Sequence, residues 1–376
     1  MRRQSFLPRP DWREKCEQVG FVWHSVDGRY WDESAAYVFS AAQIDHLEAV
    51  TEQLHQLCLQ AVDHIIGRGL FASFNLPPAT WELITKSWRN GEKGLYGRFD
   101  FSWDGTGEPK LLEYNADTPT GLLEASVVQW YWLRDVMPKA DQFNSIHEKL
   151  LHRWPALFAK SDKPAILHFT SMQGHEEDAG NTLYLMDTAC QAGFDVNYLP
   201  IDQIGRADGV SSFLDTEDRP ISNCFKLYPW EWLYRDEFAC YLNEPDATRF
   251  IEPAWKVLLS SKAILPYLWK LNPGHPNLLP ASFQDDLGRP SVRKPVYSRE
   301  GENISILLAQ SDISTDGLYA GEPVIYQAYA PLPSMAGSFP VIGSWVIGDA
   351  AAGIGIREDD GPITRNSSRF VPHYFL

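Results

Sequence analysis

The chain has 376 residues, of which 44% are hydrophobic and 22% charged, and it carries a formal net charge of -16 at pH 7. Such a chain buries a large core, in one composite unit or two to three lobes, and this excludes a disordered or fibrous protein. An acidic balance without any basic run argues against nucleic acid as a partner and is compatible with a cationic one such as a polyamine. Cys16, Cys58, Cys190, Cys224 and Cys240 are odd in number and lack CxxC spacing. Neither zinc nor a disulfide framework is expected, and a reducing compartment is. The opening MRRQSFLPRP runs into Asp11 and Arg13, and no segment reaches membrane-spanning length, so the expectation is a soluble cytoplasmic protein without a membrane partner.

In chain order, residues 21–31 are aromatic and contain Asp27 and Gly28, which reads as a small hairpin. Over residues 40–68, Ile44, Leu47, Val50, Leu54, Leu57, Val62 and Ile65 recur at three and four, which predicts a core-facing helix. Pro77 and Pro78 break the chain before a second helical piece at 81–88.

The stretch GLYGRFDFSWDGTGEPKLLEYNADTPTG, residues 94–121, follows, and its chemistry is the most direct. Arg98, Asp100 and Ser102 alternate with Gly97, Phe99 and Phe101, so a strand sends the polar three to one face. Asp104, Gly105, Gly107 and Pro109 turn the chain, and Glu113 and Asn115 are again two apart. If the two strands pair antiparallel, Arg98, Asp100, Glu113 and Asn115 share one surface. Two carboxylates and a carboxamide are hard oxygen ligands, which suits Mg²⁺ or Mn²⁺ completed by water and substrate phosphates. An arginine beside them suggests neutralisation of phosphoryl charge during transfer. The same alternation also fits a hairpin that merely faces water, but the phenylalanines and leucines seal the other face and both strands place acids on one side. After Pro119 a buried helix is expected from about Gly121.

Residues 160–219 change texture to strand, loop, helix, strand: PAILHF at 164–169, the polar loop TSMQGHEEDAGN, a helix over 182–192 and a strand over 194–199. Strand-end loops of such α/β units bind ligands, and Glu176 and Glu177 crowd this one, although acids also favour a helix N-terminus for their own sake. In the last third, CFKLY at 224–228 puts Lys226 inside an apolar run. VRKPVYSREGEN at 292–303 reads as a strand bearing Lys294 and then a polar loop with Gly301. A lysine can meet one phosphate there while loop N–H groups cover others, although the spacing is not that of a Walker loop. PVIYQA at 323–328 is a further strand with Gln327, and 341–348 and 351–357 form a glycine-flanked pair with Trp345 and Arg357.

GRFDFSWDGTGEPKLLEYNADTPT, EPAWKVLLSSKAILPYLWKLNPGHPNLLPA, VRKPVYSREGENI and GIREDDGPITRNSSRFVPHYF together resemble the glutathionylspermidine synthetase family of ATP-grasp ligases. The likeness is nearest to its short bacterial acid–amine ligases that lack the amidase domain. It covers essentially the whole chain. The resemblance implies an α+β, ATP-grasp fold, permuted as in eukaryotic glutathione synthetase, because the metal acids precede the nucleotide lysines. It implies a small α/β pre-ATP-grasp subdomain at 161–222, between a helical part with the metal hairpin at 1–160 and a nucleotide lobe with core strands at 223–376.

Carried over by position, the resemblance implies Arg98 as the catalytic arginine and Asp100, Glu113 and Asn115 as ligands of Mg²⁺, with two ions expected and Mn²⁺ as the substitute. It implies ATP contacts at Lys226 and Lys294, a loop over the phosphates from Ser298 through Gly301 to Asn303, adenine near Gln327, and Arg357 near the C-terminal end. Thr118, Thr120, Glu176 and Glu177 correspond to substrate-contacting positions. The implied reaction joins a peptide-like or glutathione-like acid to a polyamine or amino-acid amine through an acyl phosphate, with no hydrolysis of the amide since no amidase part is matched. The alternatives are a catalytically inactive ATP-binding scaffold or sensor, and a kinase of a small acid or alcohol.

Overall fold

The structure, a computed structural model, describes residues 1–26, 28–159 and 163–376. Asp27 of the expected 21–31 hairpin, and the expected boundary at 160/161, lie outside the described residues; the described neighbours of Asp27 are turn and loop, with Trp31 bridging Phe370. Among the described residues no helix is long and apolar enough to cross a membrane, and the five cysteines are free.

The centre of the molecule is a five-stranded antiparallel sheet in the order Arg369–Val371, Ala350–Asp359, Phe339–Ile347, Tyr96–Ser102, Lys110–Asn115. Period-two alternation divides its faces. Phe99, Phe101, Leu111, Ile342 and Ile354 are fully buried on one side against the helix Ala41–Arg68. That helix starts at a capping box, in which Ser40 and Gln43 satisfy each other's backbone N–H. It stops at Gly69, whose φ of 64° closes the C-terminus in the left-handed region. Its buried stripe, including Leu47, Val50, Leu54, Val62 and Ile65, follows the three-and-four spacing of the sequence. Phe99 and Tyr114 stack across the hairpin with centroids 3.8 Å apart, which fixes its register from behind.

A second antiparallel sheet orders Ala281–Ser282, Val324–Ala328, Ser291–Pro295, Ser305–Leu307 and Ile313–Ser314. A third sheet is wholly parallel, in the order Arg249–Ile251, Asn223–Leu227, Leu167–Ser171, Val196–Tyr198. It packs against the helix Glu176–Gln191. The boundary expected at 222/223 therefore runs through this sheet, because strands 223–227 and 249–251 complete what 167–171 and 196–198 begin. Sequence proximity suggested the cut; parallel pairing needs long crossovers, and these bring distant segments together.

Two buried ion pairs join this unit to the central hairpin. The Glu252 carboxylate accepts from the N–H groups of Leu95 and Tyr96, at 2.9 Å each, and pairs with Lys256 at 2.7 Å. Lys226, in the strand Asn223–Leu227, pairs with Asp117 at 2.8 Å. The helix expected from Gly121 forms as a wide π turn, Glu124–Val128, continuing into Gln129–Val136.

Candidate active site

The hairpin faces a cleft between the central and second sheets. Pairing of Arg98 with Asn115 and of Asp100 with Glu113 places the four residues side by side on the cleft face. Arg98 grips Asp100 with two nitrogens, at 2.7 and 3.0 Å, and its third, Nη1, donates to the Thr120 carbonyl at 2.6 Å. Asn115 Nδ2 lies 3.3 Å from Asp100 Oδ2 and 3.2 Å from Glu113 Oε1. On the neighbouring strand Trp345 lies opposite Arg98 and Gly343 opposite Asp100. A Cβ at Gly343 would meet Arg98 Cδ at 2.9 Å, so the absent side chain is the space that the guanidinium stem occupies.

The second sheet supplies a lysine and a glutamine from across the cleft. Lys294 Nζ donates to Gln327 Oε1 at 2.6 Å and to the Leu112 carbonyl at 3.0 Å, while Gln327 Nε2 donates to the Leu111 carbonyl at 3.0 Å. Both side chains thus clamp the strand that bears Glu113. Beside them Val292, Ile304, Ile306, Ile363 and Leu332 give the cleft an apolar end. Arg357 lines the cleft too, held by the carbonyls of Arg365, Asn366 and Ser368.

Lys262 was not expected. It reaches Glu113 at 3.0 Å and the Ser298 carbonyl at 2.7 Å, so it links the hairpin to the loop over the cleft. The available signal was a lysine in the apolar run VLLSSKAIL, the same sign that singled out Lys226. Lys226 requires a correction: it is fully buried, does not line the cleft, and is saturated by Asp117, the Tyr228 carbonyl at 2.9 Å and the ring of Trp230. An ammonium removed from water needs such partners, and these are internal.

The loop divides in two. Ser298 and Gly301 line the cleft, and the Ser298 hydroxyl is buried without a hydrogen-bond partner among the described residues. Gly301 has φ 71° and so little room that a Cβ would come within 2.2 Å of the Thr364 carbonyl oxygen. Asn303 does not line the cleft; its carboxamide oxygen accepts from Tyr319 N at 2.7 Å. Thr118 faces an adjoining hollow with Asn115, Ser298 and Arg299, and its hydroxyl accepts from Arg299 at 2.8 Å. Arg299 also pairs with Glu231, and neither was singled out in the sequence. Thr120 contributes its carbonyl to Arg98. Glu176 is exposed, and Glu177, in the first turn of its helix, accepts from the Tyr30 hydroxyl at 3.3 Å.

Charges at the site are strongly coupled. Burial pushes the Asp100 carboxyl up against the opposing pull of Arg98, and the nearby charge of Glu113 adds to the rise. Burial acts on Glu113 in the same direction, but Lys262 and Lys294 outweigh it and hold that carboxyl down at about 2. Lys294 is itself lowered to about 8, by burial first, with Glu113 opposing. Two acids with one carboxamide, crowded and drawing on every nearby cation, form a donor set suited to a hard divalent ion. Among the described residues no three His, Cys, Asp or Glu side chains converge into a closed metal cage, so such an ion would take its other ligands from water and substrate phosphates.

The family model described as glutathionylspermidine synthase preATP-grasp matches residues 3–376. A protein of Haemophilus influenzae, named "Putative acid--amine ligase", is 43% identical over 396 residues, with 100% of both chains covered. The trypanothione synthetase of Crithidia fasciculata is 28% identical, over 87% of this chain and 54% of the relative. The bifunctional glutathionylspermidine synthetase/amidase of Escherichia coli is 27% identical, over 89% and 58%. The chain thus spans the whole of the first relative and somewhat over half of the other two. Among solved structures, a glutathione synthetase-like effector of Globodera pallida superposes with a TM-score of 0.57 at 10% identity, over 97% of this chain and 96% of that one, a likeness of fold alone. With one family model matched from end to end and a relative at 43% identity over its full length, the chain belongs to the glutathionylspermidine synthase preATP-grasp family of ATP-dependent carbon–nitrogen ligases.

Proposed function

We propose that the chain uses ATP to activate a carboxylate as an acyl phosphate and passes the acyl group to an amine, within a permuted ATP-grasp fold. The observation that carries this reading is the convergence on one cleft of Arg98, Asp100 and Glu113 from one sheet, with Asn115 beside them at the adjoining hollow, and of Lys262 and Lys294 opposite. The adenine fits the apolar end beside Gln327, and Lys262, Lys294 and Arg357 offset phosphate charge. Asp100, Glu113 and Asn115 are the residues that would hold Mg²⁺, which when bound neutralises charge on the transferring phosphoryl group. Arg98, already aimed along this row, stabilises the charge that builds as the substrate carboxylate takes the γ-phosphoryl group. Residues 298–303 cover the site and keep water from the acyl phosphate.

The acid, peptide-like or glutathione-like, enters by Thr118 in the hollow next to Asn115, and the amine, a polyamine or amino acid, approaches from the side of Glu177. The chain order supports the permutation, since the hairpin at 96–115 precedes the lysine strand at 291–295. The test is an ADP-release screen of glutathione and other γ-glutamyl or peptide acids against spermidine, diamines and amino acids, with mass spectrometry of products. An amide with stoichiometric ADP is the expected outcome. ATP binding without any new amide across the panel would remove the ligase reading.

A further inference from the structure

Just beyond Thr120, the chain buries a carboxylate to which the reaction above gives no task. Glu124 is fully buried and opens the π turn Glu124–Val128, a distortion frequent at functional sites. Its Oε1 accepts from Trp23 Nε1 at 2.9 Å, whereas Oε2, equally enclosed, has no hydrogen-bond partner among the described residues. A lone buried carboxylate oxygen is costly unless the group carries a proton or can acquire one. Trp23 in turn is held by the helix Glu176–Gln191, where a Cβ on Gly180 would come within 2.0 Å of its ring. The first turn of that helix bears Glu177, which accepts from Tyr30. The Tyr30 hydroxyl faces Glu124 as well.

This chain of groups leads to the cleft. The charge of Glu177 acts on Glu300, which lines the cleft, and the guanidinium carbon of Arg357, another lining residue, lies 5.9 Å from the Tyr30 ring centre. Around Glu124 the titratable groups are Tyr30, Glu177 and, in the next layer, the Cys16 thiol. The charge of Glu177 acts on Asp178 and Glu300, where His175 and Arg299, and Arg357 and Arg299, respectively oppose it. Burial, and then the charge of Glu177, push the Glu124 carboxyl up to about 7.

We propose that Glu177, Tyr30 and Glu124 form the path that accepts a proton from the amine substrate, with Glu124 as its buried terminus. This rests on the ligase reading and adds to it the step that makes the amine a nucleophile. The amine enters as an ammonium at Glu177. One proton passes to Glu177 and, through the Tyr30 hydroxyl, which gives up its own proton as it accepts another, to Glu124. The freed lone pair forms the C–N bond while the bond from carbonyl carbon to phosphate oxygen breaks, with its electron pair staying on phosphate. The second nitrogen proton leaves with that phosphate as HPO₄²⁻. Glu177 touches the substrate; Glu124 acts through it and is a positioning residue.

The test uses the whole chain, glutathione and spermidine as the probe pair, and Glu124→Gln, which keeps an oxygen for Trp23 but holds no exchangeable acid proton. Amide formation is expected to fall on the order of a hundredfold more than acid-dependent ADP formation without amine. Wild-type amide formation is expected to rise through about pH 7, Glu124→Gln to lose that rise, and Glu124→Asp to recover part of the rate. Infrared spectra without substrate should show a protonated carboxyl signal that disappears as the pH rises through that range and is missing from Glu124→Gln. An unchanged pH profile, equal loss of both activities, or no such infrared signal overturns the path. A wild type that shows the signal but makes no amide with any amine overturns the ligase reading instead, so the two failures are separable.

Discussion

Three lysines set in or beside apolar runs, Lys226, Lys262 and Lys294, have three different surroundings. Lys294 and Lys262 meet the cleft and the Glu113 side of the hairpin, while Lys226 turns inward to Asp117. Alternation tells that a side chain leaves the strand on a given face, but not what lies across that face. Substitution separates them. Lys262→Met or Lys294→Met should weaken ATP binding by roughly tenfold to a hundredfold, the usual worth of a hydrogen bond to a charged group, measured by calorimetry. Lys226→Met leaves Asp117 buried and unpaired, so it should cost about 3–5 kcal/mol of stability in denaturant melts while nucleotide affinity of the folded fraction is unchanged. Arg98→Ala should lower turnover by roughly a thousandfold or more with ATP binding retained; near-normal turnover in a steady-state assay would remove Arg98 from the chemistry. Glu124 adds a pH test of stability. Its folded-state value of about 7 exceeds the ordinary 4.5, so between those values the folded chain holds a proton that the unfolded chain releases. The contribution is present at low pH and lost as pH rises through that window. Glu124→Gln should therefore gain on wild type by on the order of 2 kcal/mol between pH 5 and pH 8, read from thermal melts at each pH.

At the scale of elements, the hairpin was legible because a period of two, a glycine-rich turn and a resumed apolar run are all local signals. The helix Ala41–Arg68 was legible for the same reason, down to its first residues, where Ser40 and Gln43 carry the capping box. The partners of these elements were not. Nothing in the sequence of Tyr96–Ser102 states that Phe339–Ile347 lies beside it, with Gly343 opposite Asp100 and packed on the Arg98 stem. Gly343→Ala should therefore push Arg98 out of line and reduce kcat by about a hundredfold, as misplacement near 1 Å does. Circular dichroism and ATP affinity should stay close to wild type; a kcat within twofold of wild type would show that the stem has room to shift. The parallel sheet was half legible: a strand followed by a helix was expected, but the helix begins at Glu176 instead of 182, so the acids read as a loop form its first turn, and the sheet's two other strands belong to a segment that sequence order assigned to the nucleotide lobe.

The whole molecule turns two sheets into one cleft, and ligand linkage is the measurement at that scale. A nucleotide that binds across both sheets stabilises the folded state by about 2.7 kcal/mol at a hundredfold excess over Kd. A non-hydrolysable ATP analogue with Mg²⁺ should thus raise Tm by several degrees, chelation of the metal should remove most of the shift, and Glu113→Gln should blunt it. A shift unaffected by chelator would argue against the two acids as the metal's protein ligands. By itself the sequence determined the periodic elements, the acids and arginine of the hairpin, the alternation that aligns them, and the combination of segments that marks the family, because each is a local pattern of side chains. Only the tertiary structure decided which lysines face the hairpin, that Lys226 belongs to a buried ion pair, that strands 223–227 and 249–251 join the parallel sheet, and that Glu124 lies behind Glu177. Those facts depend on contacts between segments tens to hundreds of residues apart, where burial and charge pairing, rather than local periodicity, determine what each side chain meets.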